Sequence, residues 1–271
     1  MKHTRKLILV LAAAALTFIG CKKNSITPAA VTTDNAALSK QIALSLFNSM
    51  SGQYGGASLI NGTKAQSGMS INPEGPRVTA IDPYCGYTID TTINNTSVVA
   101  DVSKSVYSHF KFIYTCSTHA LDGYILSDSI NNTDKGAHFT NQNTSNQNYV
   151  VSKYGSDFNV VSIRGTTGTS SHYTTFNSSQ TTIGYNYTDS QYTLNGLVVD
   201  LSSPTANITS GMATFSSTIK NLGPTTPANG STYTGTIEFS GNHMAKITLV
   251  TGGSSYVNTI NLLTGELTAV K

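Results

Sequence analysis

The sequence predicts a mainly β fold: an antiparallel meander sheet, arranged as a half-barrel, a barrel or a sandwich, with one N-terminal α-helix. Three observations predict it. Short segments of alternating apolar and polar residues follow one another from residue 84 onward. Turn-forming residues separate these segments without an intervening helical pattern, as is typical of antiparallel sheets. One segment before residue 53 has the apolar spacing of a helix that packs on another element.

The chain begins with a segment typical of an export signal. Lys2, Arg5 and Lys6 precede an apolar run from Leu7 to Gly20. This run is shorter than the roughly 20 apolar residues that a membrane-spanning helix needs. Residues 1–20 are therefore predicted to be a signal peptide that is removed after export.

A cysteine closes the apolar run, in the segment LTFIGCKKNS. This segment resembles the lipobox of bacterial lipoproteins and the start of many lipoproteins from the Bacteroidota, with Phe18 where leucine is usual. The resemblance implies that Cys21 receives a diacylglyceryl group and becomes the first mature residue. It implies a membrane anchor at the cell envelope, in the outer membrane, on either its periplasmic or its surface face. The alternative is a cysteine that happens to follow a plain signal peptide or an uncleaved anchor.

Charge argues against nucleic acid as a partner. The chain has 16 Lys and Arg against 13 Asp and Glu, and three of the cations precede Cys21. The mature chain is therefore close to neutral. Binding to nucleic acid depends on basic residues that neutralise phosphates, and no basic stripe is present in the sequence.

The segment after the signal predicts a tether followed by a helix. Residues 21–33 are rich in Ser, Thr, Pro and Asn and are predicted to be flexible. Residues 34–52 are predicted to be helical, because Leu38, Ile42 and Leu46 recur at intervals of four. We expect this apolar stripe to pack on the sheet.

Residues 53–83 contain several Gly and Pro residues and are predicted to be an irregular connection to the β domain, residues 84–271. In HFKFIYTC, residues 109–116, every second residue is apolar or aromatic, which predicts a half-buried strand. Further segments are predicted as strands: YCGYTID, DGYILSDS, QNYVVSKY, FNVVSIRG, TIGYNYTD, GLVVDLS, ATFSSTI, GTIEFSG, AKITLV, YVNTINLL and ELTAVK.

Glycine-containing and polar segments predict the turns between these strands. We interpret RGTTGTSS as a turn and DSINNTDKG as a polar hairpin loop, because neither fits a phosphate-binding or a calcium-binding pattern. The predicted turn positions are Gly165, Gly168, Gly241-Asn242, Gly252-Gly253 and Thr264-Gly265.

Cys85 and Cys116 are predicted to form a disulfide. Both lie on the apolar faces of predicted strands, and exported proteins favour disulfides. The alternative is a metal site that adds His109 and His119 to the two cysteines. Strand alternation directs His109 away from the face of Cys116, so we expect no metal site.

No catalytic motif is present, and no cofactor is expected. The chain lacks a G-x-S-x-G elbow, and its histidines have no recognisable catalytic sequence around them. A pair of carboxylates could act as acid and base in a hydrolase, but the sequence does not select two of them. The candidates are Asp90, Asp122, Asp157, Asp200 and Glu238.

Two short motifs predict modification sites. Asp90-Thr91-Thr92 and Asp128-Ser129-Ile130 resemble the O-glycosylation sequon of exported Bacteroidota proteins. The resemblance makes Thr91 and Ser129 candidates for O-glycans. A chance match is the alternative in a chain so rich in Ser and Thr.

These observations favour a lipid-anchored envelope protein that is not an enzyme and that binds or presents an apolar ligand or a glycan. A curved sheet partly covered by a helix could hold an apolar ligand, and the many tyrosines could stack on sugars. The alternatives are a hydrolase of envelope or extracellular polymers and a structural or adhesive surface protein. The oligomeric state is left open.

Overall fold

A computed structural model describes residues 34–52, 54, 85–118, 120–156, 158–202, 205–223 and 229–269. The predicted signal, tether and most of the connection lie outside these residues, as do Cys21, Asp157 and His119. The described part contains one helix, α1 (Asn35–Met50), and eleven strands. The strands are β1 (Thr88–Val99), β2 (Val102–Ser117), β3 (Ala120–Lys135), β4 (Phe139–Lys153), β5 (Val160–Phe176), β6 (Thr182–Asp200), β7 (Asn207–Leu222), β8 (Asn229–Gly241), β9 (Met244–Thr251), β10 (Ser254–Asn261) and β11 (Leu267–Ala269).

All eleven strands form one antiparallel sheet in which each strand pairs with the next along the chain. The predicted antiparallel meander is therefore confirmed. β1 and β11 form the two edges, so the sheet is open. Of the half-barrel, the barrel and the sandwich that the sequence left undecided, the closed barrel does not form in the described residues, whose strands make one sheet with two edges.

α1 packs on one face of this sheet, which we call the inner face. The apolar stripe of the helix is confirmed, because Ile42, Leu46 and Met50 are fully buried. They join one core with inner-face side chains such as Leu126 and Ile247. Burial of these side chains is worth about 1.5–3 kcal/mol each, which explains why the helix lies here.

The strands are longer than the sequence patterns predict. TIGYNYTD and GLVVDLS were predicted as two strands but form the single 19-residue strand β6. The predicted hairpin loop DSINNTDKG lies largely within β3, and the predicted turn RGTTGTSS lies within β5. These predictions were wrong because polar residues continue the strands beyond the apolar core, where no alternation of hydrophobicity signals them.

Gly165 marks an irregularity in β5 and not the predicted turn, and Gly168 also lies within the strand. Gly165 has a φ of 139°, and a Cβ there would overlap the carbonyl oxygen of Asn148 on β4. Glycine is thus needed for the close approach of two strands. The predicted turn at Gly252-Gly253 is confirmed: both residues have positive φ, as a two-residue hairpin turn requires.

The inner face changes from apolar to polar along the strands β4 to β7. Tyr192 pairs with Phe215 in the apolar part of β6 and β7. Toward the start of β6, the inner-facing residues are Ser190, Thr188 and Asn186. The same change occurs in β4 and β5, so neighbouring strands together form a polar half of the inner face.

No helix in the described ranges has both the length and the apolar character needed to cross a membrane.

Candidate functional site: a polar groove between helix and sheet

A groove lies where the polar side of α1 faces the polar half of the inner face. We call it the helix groove. Its volume is about 350 Å³, which is within the range of small-molecule sites. The helix contributes Gln41, Ser45 and Asn48, and the sheet contributes Asn143 and Ser171 among others. The described residues that line the groove carry no charge, and most of them have hydroxyl or amide side chains.

Hydrogen bonds between α1 and the sheet fix the wall of this groove. Gln41 Nε2 donates to Thr188 Oγ1 at 3.1 Å, and the hydroxyls of Ser45 and Thr169 lie 2.8 Å apart. These contacts set the rotation of α1 about its axis, so that its apolar stripe meets the core and its polar side meets the groove.

A buried polar layer holds the C-terminal half of α1. The hydroxyl of Ser49 lies 2.9 Å from that of Ser145 and 3.1 Å from that of Thr167. Gln147 Nε2 donates to the carbonyl oxygen of Ser49 at 2.7 Å. Buried polar groups are costly unless hydrogen-bonded, so this layer permits few other positions for the helix.

A second pocket, the end pocket, lies further along the inner face at the ends of β5, β6 and β7. Its volume is about 360 Å³, and it is lined by Tyr173, Thr175, Asn186 and Asn221. Gly184 also lines it, and a Cβ there would lie only 2.9 Å from Thr175 Oγ1, so a larger residue would crowd this position. No charged residue is among the described residues that line this pocket.

Two of the carboxylates named as hydrolase candidates, Asp90 and Glu238, are not brought together. Asp90 lies on β1 and contacts His109 Nε2 at 2.9 Å, whereas Glu238 lies on β8 and contacts Lys246 Nζ at 3.4 Å. Six strands of the sheet separate β1 from β8.

Asp200 and Asp122, the other described candidates, lie on strands that are not neighbours in the sheet. Asp200 is the last residue of the long strand β6, where hydrogen bonds from the hydroxyl and the backbone N–H of Ser202 lower its pKa. This is the wrong direction for a general acid, whose pKa is raised. Asp122 lies at the start of β3, and Asp157 is outside the described residues.

The outer face of the sheet carries a cluster of Ser170, His172 and Asp189. The sequence does not reveal it, because only the pairing of β5 with β6 places these residues side by side. His172 Nε2 lies 2.8 Å from Ser170 Oγ and 2.7 Å from Asp189 Oδ1, and Ser170 Oγ also donates to Asp189. A Ser-His-Asp relay needs the two different imidazole nitrogens. Here one nitrogen faces both partners, so the geometry is that of a cross-strand polar contact.

Aromatic rings extend this outer-face cluster. The rings of His172 and Tyr187 are 4.7 Å apart, and those of Tyr187 and Tyr185 are 4.6 Å apart. The tyrosine rings stack on each other and so cover part of each other's faces. This arrangement stabilises the strand pair more readily than it offers a flat surface to a ligand.

The predicted cysteine pair is found at disulfide geometry. Cys85 and Cys116 are bonded, with their Cα atoms 5.5 Å apart. Cys85 lies in a turn before β1 and not within a strand as the sequence pattern predicted.

Within the described residues, no group of three or more His, Cys, Asp or Glu side chains is arranged to hold a metal ion.

The two predicted O-glycosylation residues differ in accessibility. Thr91 is partly buried on the edge strand β1, opposite Phe110. Ser129 is exposed on β3, opposite His109. Ser129 is therefore the more accessible of the two to a modifying enzyme.

Comparison with known proteins gives no match: no family model, curated protein or solved structure is similar to this chain. The fold and the lining of the helix groove are therefore the basis for a functional proposal.

Proposed function

We propose that this protein is a noncatalytic binding module of the bacterial cell envelope and that it holds a neutral glycan in the helix groove. One observation carries the proposal: hydroxyl and amide side chains from two elements converge on a groove whose described lining is uncharged. Sugars present many hydroxyl groups that both donate and accept hydrogen bonds, and Asn, Gln, Ser and Thr offer the matching groups.

The lining favours a glycan over the apolar ligand that the sequence also suggested. An apolar ligand in this groove would leave amide groups such as those of Asn48 and Asn143 without water, at a cost of about 1–3 kcal/mol for each group that loses its hydrogen bond. The aliphatic parts of the lining side chains, which make up most of the accessible surface, can contact the C–H groups of a sugar. A charged ligand would lose its hydration without gaining an ion pair. A neutral polyhydroxylated ligand incurs neither cost.

Binding to neutral oligosaccharides tests this proposal. The exported chain, purified from its host in detergent, is titrated by calorimetry with α-1,4-glucan, β-1,4-glucan, β-1,4-xylan and β-1,4-mannan oligosaccharides. We expect at least one series to bind and Asn48→Ala to weaken that binding tenfold or more. The matched control is Asn148→Ala, since Asn148 is an exposed amide on the outer face, and it should bind as the unchanged protein does.

Two outcomes would contradict the proposal. Failure of all four series to bind, or equal effects of Asn48→Ala and Asn148→Ala, would exclude a neutral glycan site in the helix groove. Release of shorter products during the titration would instead favour the hydrolase alternative.

We also propose that a lipid on Cys21 anchors this module, because the lipobox-like segment precedes the folded part. Growth of the host with an alkyne-bearing palmitate analogue tests it. The unchanged chain should incorporate the label and partition with membranes, and Cys21→Ser should do neither. Equal labelling of the two chains would contradict lipidation at Cys21.

A further inference from the structure

We propose that the helix groove and the end pocket form one elongated site, which takes a linear neutral glycan of several sugar units along β5 and β6. Tyr173 would contact the sugar at the far end. This inference rests on the proposed function, because it assigns the length and course of the ligand that the helix groove binds.

The register of the strands makes the two pockets consecutive. Ser171 pairs with Thr188 in the helix groove, and Tyr173 pairs with Asn186 in the end pocket. In each strand, the two residues are two positions apart, so their side chains emerge on the same face about 6.6 Å from each other. A ligand lying along the strands would thus pass from one pocket directly into the next.

The helix groove and the end pocket are lined by the same kinds of polar side chain. Asn186 and Asn221 supply amide groups and Thr175 supplies a hydroxyl in the end pocket, as Asn48 and Ser171 do in the helix groove. The described lining of both pockets is uncharged. One kind of polymer, with hydroxyl groups on every unit, would satisfy both.

Tyr173 gives the end pocket an aromatic wall. None of the described strand residues that line the helix groove is aromatic. Phe139 on β4 stacks against Tyr173 with the ring centroids 6.1 Å apart. The end pocket is built from β5, β6 and β7, on the other side of Tyr173. Tyr173 thus has Phe139 on its β4 side and the end pocket on its β6 side. Tyr173 is 43% exposed, so a sugar can reach this ring and place its C–H groups on it.

The test compares short and long oligosaccharides. The exported chain in detergent is titrated with disaccharides and hexasaccharides of the four neutral series named above. We expect the hexasaccharide of the binding series to bind at least tenfold more tightly than the disaccharide. Tyr173→Ala should weaken hexasaccharide binding tenfold or more and leave disaccharide binding unchanged, while Tyr173→Phe, which keeps the ring, should retain most of the affinity.

The control is Tyr154→Ala, because Tyr154 is a 60% exposed tyrosine in the turn after β4; it should change neither affinity. Asn186→Ala probes the end pocket independently and should also weaken only the hexasaccharide. Equal affinity for both lengths, together with no effect of Tyr173→Ala or Asn186→Ala, would overturn the elongated site and leave the helix groove intact. Absence of binding by both the disaccharides and the hexasaccharides would overturn both proposals.

Discussion

Tyr192 illustrates at the scale of a single residue how the sheet holds the helix. Its ring is buried in the core, with 1% of the residue exposed. Its hydroxyl donates to the carbonyl oxygen of Ile42 in α1 at 2.9 Å. The side chain thus packs in the apolar part of the inner face and reaches the helix backbone at the border of the polar part. A phenol fits this border because it joins an apolar ring to one polar atom.

Removal of this hydroxyl should destabilise the protein modestly. Tyr192→Phe keeps the ring and loses one hydrogen bond, so we expect the free energy of unfolding to fall by about 0.5–1.5 kcal/mol. Urea denaturation followed by circular dichroism measures it. Tyr256→Phe is the control, since Tyr256 is 38% exposed, and it should be neutral. Equal midpoints for the two variants would show that the contact with Ile42 does not stabilise the fold.

At the scale of the element, α1 has two roles, one for each side of the helix. The apolar stripe belongs to the core, and the polar side forms a wall of the helix groove. The stripe is readily predicted, because its spacing of four residues matches the helical period. The role of the polar side is not predictable, because an exposed polar helix face and a polar face over a groove have the same composition.

Truncation in the helix stripe should be far more costly than truncation in a turn. Ile42→Ala removes a fully buried side chain, so we expect a loss of about 2–5 kcal/mol from the free energy of unfolding. Leu263→Ala is the control, because Leu263 is 52% exposed, and it should lose far less. Urea midpoints compare them, and a similar loss in both variants would contradict the packing of α1 on the sheet.

The cysteine pair should stabilise the β1–β2 hairpin mainly through the unfolded chain. Cys85 and Cys116 are 31 residues apart, and closing a loop of that length contributes about 3.5–4 kcal/mol on the chain-entropy model. We therefore expect Cys85→Ser with Cys116→Ser to lower the free energy of unfolding by up to that amount. Mass mapping with and without reductant checks the bond first. Two free thiols in freshly isolated protein would contradict the disulfide.

The strand patterns show where prediction from sequence succeeds and where it stops. HFKFIYTC was predicted correctly as half-buried, since Phe110, Phe112 and Tyr114 are buried on one face of β2. The segment DSINNTDKG gave no such signal, because Asn, Ser and Thr are equally common in loops and in exposed strands. The helix groove lies on similarly polar parts of β4, β5 and β6, so sequence patterns did not indicate its position.

At the scale of the whole molecule, the core contains several buried phenols, which link its stability to alkaline pH. Burial raises the pKa of Tyr192 to about 12 and also raises the pKa of Tyr124 and Tyr149. The unfolded chain releases these protons near pH 10, whereas the folded protein keeps them. The stability that these protonated phenols contribute is therefore fully present below pH 10 and is lost as the pH rises through the folded pKa values.

This linkage can be measured on Tyr192 alone. We expect the free energy of unfolding of the unchanged protein to fall between pH 10 and pH 12. The slope of this fall with pH should be smaller in Tyr192→Phe, by the equivalent of up to one bound proton. Urea midpoints at intervals from pH 9 to pH 12 measure both slopes. Identical slopes would mean that Tyr192 ionises equally in the folded and unfolded states.

The class of the fold could be predicted from the sequence as a whole, because alternation, turn residues and one amphipathic helix all indicated it. The choice of an open sheet could not be predicted, since closure depends on how the edges β1 and β11 lie and not on any local pattern. The site depends on this arrangement. An open sheet with α1 on one face leaves the polar half of that face available to a ligand.

The central claim is that a neutral glycan binds on the inner face, beside α1. Nuclear magnetic resonance of the side-chain amide groups tests it most directly, by titration with the neutral hexasaccharides. The account predicts that the side-chain amide signals of Asn48, Asn186 and Asn221 shift, and that the signal of Asn148 on the outer face does not. Shifts confined to Asn148 and its outer-face neighbours, or no shifts at saturating hexasaccharide, would contradict it.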